Sequence, residues 1–231
     1  PYVDELSDTE LIAMLAAPSA KHREHAQLAL LRRGDAPQRA QMLESLAADG
    51  NQPSYGRVAA IFTLKQLRGE ASHPALVELT KDAKVREFAL RALADRRSQM
   101  KNVPTEPFVE ALGDPDPRVR AAAVIGLGRL GDKSVAPAIL PLTQRPSHQP
   151  MPTDNPLHAQ PDAGRVIPHL GVRALVELGA AEACVGALNG PYRDGALWAL
   201  RGMHSEGAVE GLIAALATTR DAELRRCVVT A

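Results

Sequence analysis

The 231-residue sequence predicts an all-α fold, a right-handed α-solenoid of about seven helix pairs, and three observations carry that prediction. The first is a recurring pattern, Arg-x-x-Ala/Val. It stands at Arg23, Arg57, Arg86, Arg120, Arg193 and Arg225, at intervals near 30 residues apart from one gap of 73. Inside that gap lies a further copy, with Gly171 where the arginine should be, followed by Ala174 and Leu175. A period of this length, held across the chain, marks stacked two-helix units. The second observation is composition. The chain is 45% hydrophobic but only 3% aromatic, and alanine and leucine in that proportion suit helices that pack closely. The third is punctuation. Ser19, Asp82, Asp116, Asn189 and Asp221, all good N-cap types, stand four residues before a ladder arginine. Gly34, Gly69, Gly131 and Gly179 follow the second helices, as C-terminal glycines do.

The elements follow in order, each unit reading as helix A, a turn and helix B. The first unit has helix A over 8–16, apolar at Leu11, Ile12 and Leu15, and helix B over 21–33 after Pro18-Ser19. The second uses 37–48 and 55–67, joined by Gly50-Asn51-Gln52-Pro53, with Ser54 as a stand-in cap. The third uses 74–81 and 84–96, and the fourth 106–112 and 117–130, with Pro74 and Pro117 at first-turn positions that need no N–H. The fifth uses 134–142 and 166–178. The sixth uses 181–188 and 192–203, and the seventh 207–217 and 222–231. The whole chain, 1–231, reads as one repeat array, and it looks like a piece of a longer protein. The fifth unit carries a proline-rich loop over 144–165, in which Pro146, Pro150, Pro152, Pro156 and Pro161 cannot be helix interior. Such a loop is either functional or a tolerated insertion.

Charge and motifs narrow the function. The 27 basic and 27 acidic residues cancel, which argues against a nucleic-acid or anionic-membrane binder with an excess-positive face. No stretch is long and apolar enough to span a bilayer, so direct membrane insertion is not expected. Cys184 and Cys227 fall on apolar helical faces without CxxC spacing and read as buried free thiols. Gly126-Leu127-Gly128-Arg129-Leu130-Gly131 matches GxGxxG in letters, but it sits at a helix C-terminus. There it reads as close packing and a C-cap rather than a dinucleotide fingerprint. His22 and His25, at i,i+3, lack further ligands, and His148, Asp154, His158, Asp162 and His169 scatter in or beside the loop, so no metal site is expected. Nucleophile, metalloprotease and Walker motifs are missing, so no catalytic residue and no cofactor are assigned. Any activity would lie elsewhere in a parent chain.

Helix pairs of this length, with Asp-x-x-Val-Arg-x-x-Ala-x-x-x-Leu opening helix B over 116–127 and 82–93, resemble HEAT repeats of the phycobilisome-lyase-like subclass. The resemblance covers essentially the whole chain and implies an α-solenoid. A narrower likeness rests on Leu6-Ser7-Asp8-Thr9-Glu10-Leu11, Leu30-Leu31-Arg32-Arg33-Gly34 and Pro168-His169-Leu170-Gly171-Val172-Arg173-Ala174-Leu175. These look like the HEAT region of planctomycete-type membrane-bound dehydrogenases, which add a propeller and a C-terminal c-type haem segment. That likeness implies an exported or periplasmic spacer domain, whereas a cytoplasmic place is expected without it.

Two residue sets are singled out. In the ladder, Arg23, Arg57, Arg86, Arg120, Arg193 and Arg225 recur with Asp82, Asp116 and Asp221. This favours pairing of each arginine with an N-cap aspartate over a basic stripe for an acidic partner. Exposed pairs of that kind contribute only about 0.2–1 kcal/mol each. Five residues after each ladder position stand Leu28, Phe62, Arg91, Ile125, Val176, Trp198 and Thr230, pointing away from the core stripe. Phe62, Arg91, Ile125 and Trp198, flanked by Arg129 and Arg201, form the expected partner-binding set, because tryptophan and arginine anchor protein interfaces. Burial of this strip between neighbouring B helices is the competing expectation. The functional expectation is therefore a non-catalytic scaffold that binds a protein partner or neighbouring domains of its parent chain. The alternatives are the spacer role above, or an enzyme-like HEAT protein such as a bilin lyase or an alkyl-base DNA glycosylase. A glycosylase would need a basic groove with stacked aromatics.

Overall fold

The computed structural model describes residues 3–145 and 163–229, and among them no strand is present. The chain divides into two compact units, Pro1–Pro107 and Phe108–Ala231.

The first unit contains α1 (Asp8–Leu15), α2 (Ala20–Arg33), α3 (Pro37–Ala48), α4 (Ser54–Arg68), α5 (His73–Leu79) and α6 (Arg86–Leu93). Each odd-numbered helix packs on the even one that follows. The odd helices also touch in the order α1, α3, α5 and the even ones in the order α2, α4, α6. Two parallel layers of stacked helices are the solenoid arrangement. Between the layers lie Leu11, Leu15, Leu30, Leu43, Ile61, Leu64, Leu76 and Leu90, all fully buried. Each such side chain contributes about 1.5–3 kcal/mol of burial.

Local chemistry sets the helix starts. Ser7 Oγ accepts the Glu10 amide while the Glu10 carboxylate accepts the Ser7 amide at 2.7 Å, a reciprocal cap on α1. Ser19 occupies the N-cap of α2, but its side chain accepts no hydrogen bond there. At α4 the N-cap is Pro53, and Ser54 is the first helical residue rather than the cap. Helix α6 is shorter than the 84–96 expected. The Asp82 carboxylate accepts the Lys84 amide at 2.9 Å, and its carbonyl accepts the Val85 and Arg86 amides. Those residues are therefore spent on a turn before the helix begins.

The second unit begins within the first turn of α7 (Glu106–Ala111) and continues through α8 (Pro117–Leu130), α9 (Ala136–Ile139), α10 (Ala163–Leu178), α11 (Ala181–Gly186), α12 (Arg193–Gly202), α13 (Glu206–Thr218) and α14 (Ala222–Val229). Helices α8, α10 and α12 pack side by side, and α11 packs on both α12 and α13. Asp116 caps α8 by accepting the Arg118 amide at 2.8 Å, with Pro117 in the first turn. Gly131 ends that helix at φ 81°, a left-handed conformation open to glycine.

Three expectations change here. Helix A of the fifth unit, expected over 134–142, is instead a short α9 between two 3₁₀ turns. Pro137 and Pro141 lack the N–H donors that would continue an α-helix. Its partner α10 starts at Ala163, so Pro168 is held inside the helix. In the sixth unit α12 starts at Arg193 with Tyr192 at the N-cap, so Asn189 is not the cap. Residues 146–162 lie outside the described residues, and with them most of the 144–165 loop and His148, Asp154, His158 and Asp162.

Candidate functional site

Five ladder arginines, Arg23, Arg57, Arg86, Arg120 and Arg225, turn back to main-chain carbonyls at or just past the end of the preceding helix. Arg23 Nη1 donates to Ala17 and Pro18 carbonyls at 2.8 Å, Arg57 Nε to Ala47 at 2.8 Å and Arg86 Nε to Thr80 at 2.6 Å. Arg120 Nη1 donates to Asp114 O at 2.6 Å and Arg225 Nη1 to Leu216 O at 2.8 Å. Ala47 and Leu216 lie in last turns, where carbonyls have no intrahelical donor and carry the negative end of the helix dipole, and the other acceptors lie one to three residues past a helix end. The residue spacing did not reveal this role, since it only showed which acids accompany the bases. Two rungs reach forward. Arg57 Nη2 meets Asp82 Oδ2 at 2.6 Å and Arg193 Nη1 meets Asp221 Oδ2 at 3.0 Å, while the other oxygen of each aspartate caps its own turn. The guanidinium of Arg57 holds the Asp82 carboxyl below the usual carboxylate range. Asp116 is seen as the α8 cap.

The glycine run of α8 is packing. A Cβ on Gly126 would lie 2.2 Å from the Phe108 ring, and one on Gly128 would lie 3.1 Å from Ala174 Cα. Gly171, the arginine-less ladder position, has the same cause. Its Cβ would meet Thr143 Cγ2 at 3.2 Å, and a Cβ on Gly195 of α12 would fall 1.9 Å from Thr143 Oγ1. Two helix backbones therefore close on one buried threonine, whose hydroxyl donates to Leu140 O at 2.6 Å.

That junction is the floor of a recess of about 710 Å³ lined by Thr143, Arg145, Tyr192, Asp194, Trp198 and Arg201. The Arg145 guanidinium sits 3.9 Å from the centroid of the Trp198 ring, and the His169 ring lies 5.7 Å from it, tilted by 48°. Gln144 Nε2 donates to Pro191 O at 3.3 Å and ties the segment bearing Arg145 to the turn before α12. Trp198 is half-buried, whereas Arg145 and Arg201 are exposed. Of the expected partner-binding set, Trp198 and Arg201 share this recess. In the same unit Ile125 is 44% exposed and Arg129 half-buried, and neither lines it. Phe62, half-buried, and Arg91, exposed and paired with Glu87 at 3.3 Å, belong to the first unit. Arg145, Tyr192 and His169 had no place in the expected set. Arg145 lies at the start of the 144–165 loop, whose sequence has no helical periodicity, so no pattern in the sequence aims it at Trp198.

The first unit hides a polar cluster that also lacks a sequence signal. Lys65, 1% exposed, places Nζ 2.9 Å from His73 Nε2 and 3.3 Å from the Gln99 carbonyl. Burial pushes both groups below their ordinary values; beyond that, Lys65 further disfavours a charge on His73, while Glu70 favours one on each, Asp95 supports the lysine and Arg96 opposes it. A base with a depressed folded value leaves the unfolded chain holding more protons, so stability is lost as pH falls through the ordinary histidine range. Chemical unfolding at about pH 7.5 and about pH 5.5 should show a lower midpoint at the acid end, and His73→Gln should flatten the difference. An unchanged midpoint in the parent protein would refute this. Cys184 is buried and its thiol is pushed up to about 12, so it is inert. His22 and His25 are both exposed. Among the described residues no three of His, Cys, Asp and Glu group to hold a metal ion, and no helix is long and apolar enough to cross a membrane.

Comparison with known proteins gives a match to a family model described as HEAT repeats, over residues 74–151. No curated protein matches. Among solved structures, the chain is similar to the complex of CpcE and CpcF of phycocyanin lyase from Nostoc sp. PCC7120. The identity is 18%, with 98% of this chain and 93% of that chain covered and a TM-score of 0.48. Two engineered proteins are also similar. One is at 17% identity, with coverage of 96% and 93% and a TM-score of 0.37. The other is at 16% identity, with coverage of 96% and 67% and a TM-score of 0.42.

Proposed function

We propose that the chain is a non-catalytic scaffold that presents the Trp198 recess to a protein partner or to a neighbouring domain of its parent chain. The carrying observation is Trp198 itself, half-buried in an open recess, with the Arg145 guanidinium over its ring and the His169 ring 5.7 Å away. A rigid aromatic ring beside arginines is the composition that dominates binding energy at protein interfaces. The recess also stands on packed backbone at Gly171 and Gly195, so it loses little freedom when a partner binds. Ile125 and Arg129 extend the proposed surface in this unit, and Phe62 and Arg91 offer a second surface in the other.

The test is capture of the partner by the full chain and by three variants. Trp198→Ala and Arg201→Glu should each weaken capture by about tenfold or more, in the range of interface anchors. Phe62→Ala should weaken it less. Capture that survives all three unchanged, or turnover of a substrate by the chain alone, would refute the scaffold reading. The narrower spacer role, drawn from the likeness at 6–11 and 168–175, is compatible with this function. It predicts a propeller upstream and a CxxCH downstream in the flanking coding sequence.

A further inference from the structure

We infer that the Trp198 recess receives an acidic segment of a protein partner, with a side-chain carboxylate docked on Arg145; this rests on reading the recess as a docking surface. Arg145 is exposed, yet its guanidinium is held over the Trp198 ring at 3.9 Å. A guanidinium covering a ring uses its face for that contact and leaves its in-plane N–H edge to bind elsewhere. That edge matches the two oxygens of a carboxylate. Because the ring already restricts the side chain, less rotamer freedom is lost when the carboxylate arrives than for a free surface arginine.

The charges around the ring favour the same ligand. Among the described residues the lining holds Arg145 and one carboxylate, Asp194, and that carboxylate stands 3.7 Å from Arg193 Nε. Asp194 is thus engaged by a neighbouring arginine, and the Arg145 guanidinium over the ring keeps its charge for a ligand. Tyr192 and the uncovered parts of Trp198 supply apolar surface beside it, which suits an acidic residue with an apolar neighbour. A nucleic-acid backbone fits less well. It needs a run of cations along its path, whereas here an aspartate lies among the arginines and the whole chain has no net charge.

Short random peptides displayed for selection on the full chain provide the probe, and Trp198, the only tryptophan, reports occupancy through its emission. The selected peptides should carry Asp or Glu beside an apolar residue and should shift Trp198 emission. Exchanging that acid for its amide should weaken binding about tenfold, as should Arg145→Gln, with the helical circular dichroism of the variant unchanged. Neutral peptides that still shift Trp198 emission would overturn the acidic preference and leave the docking surface standing. Selected peptides that bind without moving Trp198 emission would overturn both. Acidic peptides that bind Arg145→Gln as tightly as the parent, or that a short oligothymidylate displaces at lower concentration than the peptides themselves, would overturn the assignment of the carboxylate to Arg145.

Discussion

Replacing Arg57 with leucine is expected to lower stability by about 3 kcal/mol, among the largest losses available to a single substitution here. The side chain is 1% exposed and joins three places: its own helix α4, the Ala47 carbonyl near the end of α3 and the Asp82 carboxylate before α6. Leucine restores part of the buried volume but no donor, so a helix-end carbonyl loses its partner in a dry setting. Removing the other end of the rung should matter less. Asp82 is about one-third exposed, and asparagine keeps an oxygen for the Lys84 amide. Asp82→Asn removes the counter-charge of a guanidinium that is 1% exposed yet leaves an oxygen facing it, so it is expected to cost about 2 kcal/mol. Urea unfolding of both variants checks the ranking. Equal losses would mean that the ion pair, rather than the carbonyl cap, carries the rung.

Gly195→Ala is expected to destabilise the second unit by about 2 kcal/mol, against the ordinary trend. A glycine inside an exposed helix normally gains about 1 kcal/mol on becoming alanine. Here the new methyl would fall 1.9 Å from Thr143 Oγ1 and 2.3 Å from Thr143 Cβ, and overpacking of that kind costs about 1–3 kcal/mol once the neighbours have shifted to make room. Adding Thr143→Ala removes the nearer atom and leaves the second, so it should recover only part of the loss. Thermal unfolding of the single and double variants measures this coupling. A stabilised Gly195→Ala would show that α12 stands farther from Thr143 than the contact requires. Trp198, three residues along α12, should change its emission in the same variant, because the recess floor moves with the helix.

The helix pairs were legible because both signals that mark them are local. Apolar residues recur at helical spacing, and Gly34, Gly69, Gly131 and Gly179 end helices at positive φ as their type suggests. Helix lengths were less legible. The turn at Asp82 and the prolines at 137 and 141 act over one or two residues, within the spread of any periodic pattern. The site was legible in part. Trp198 and Arg201 stood out as a tryptophan and an arginine on the outward side of a repeat, but Arg145 becomes their neighbour only through folding. The buried Lys65 was invisible for the same reason. It is a lysine in a helical pattern like any other, until Gln99, far along the chain, supplies the carbonyl that makes its burial tolerable. The ladder stood between these cases. Its spacing was plain, yet the receiving carbonyls belong to the main chain and leave no letter in the sequence.

The difference between the Arg57 rung and the Thr143 junction bears on how the repeats respond to a pull. The guanidinium of Arg57 divides its donors between a dry carbonyl and a carboxylate that is about one-third exposed, so its Asp82 end has room to shift beside solvent while its Ala47 end does not. Two helix backbones clamped on a buried threonine have no such travel, because any widening opens a void that nothing fills. Under load the Arg57 joint would yield at its Asp82 end and the Gly171–Thr143–Gly195 joint would act as a stop. The recess built on that stop would keep its shape while its neighbours stretch.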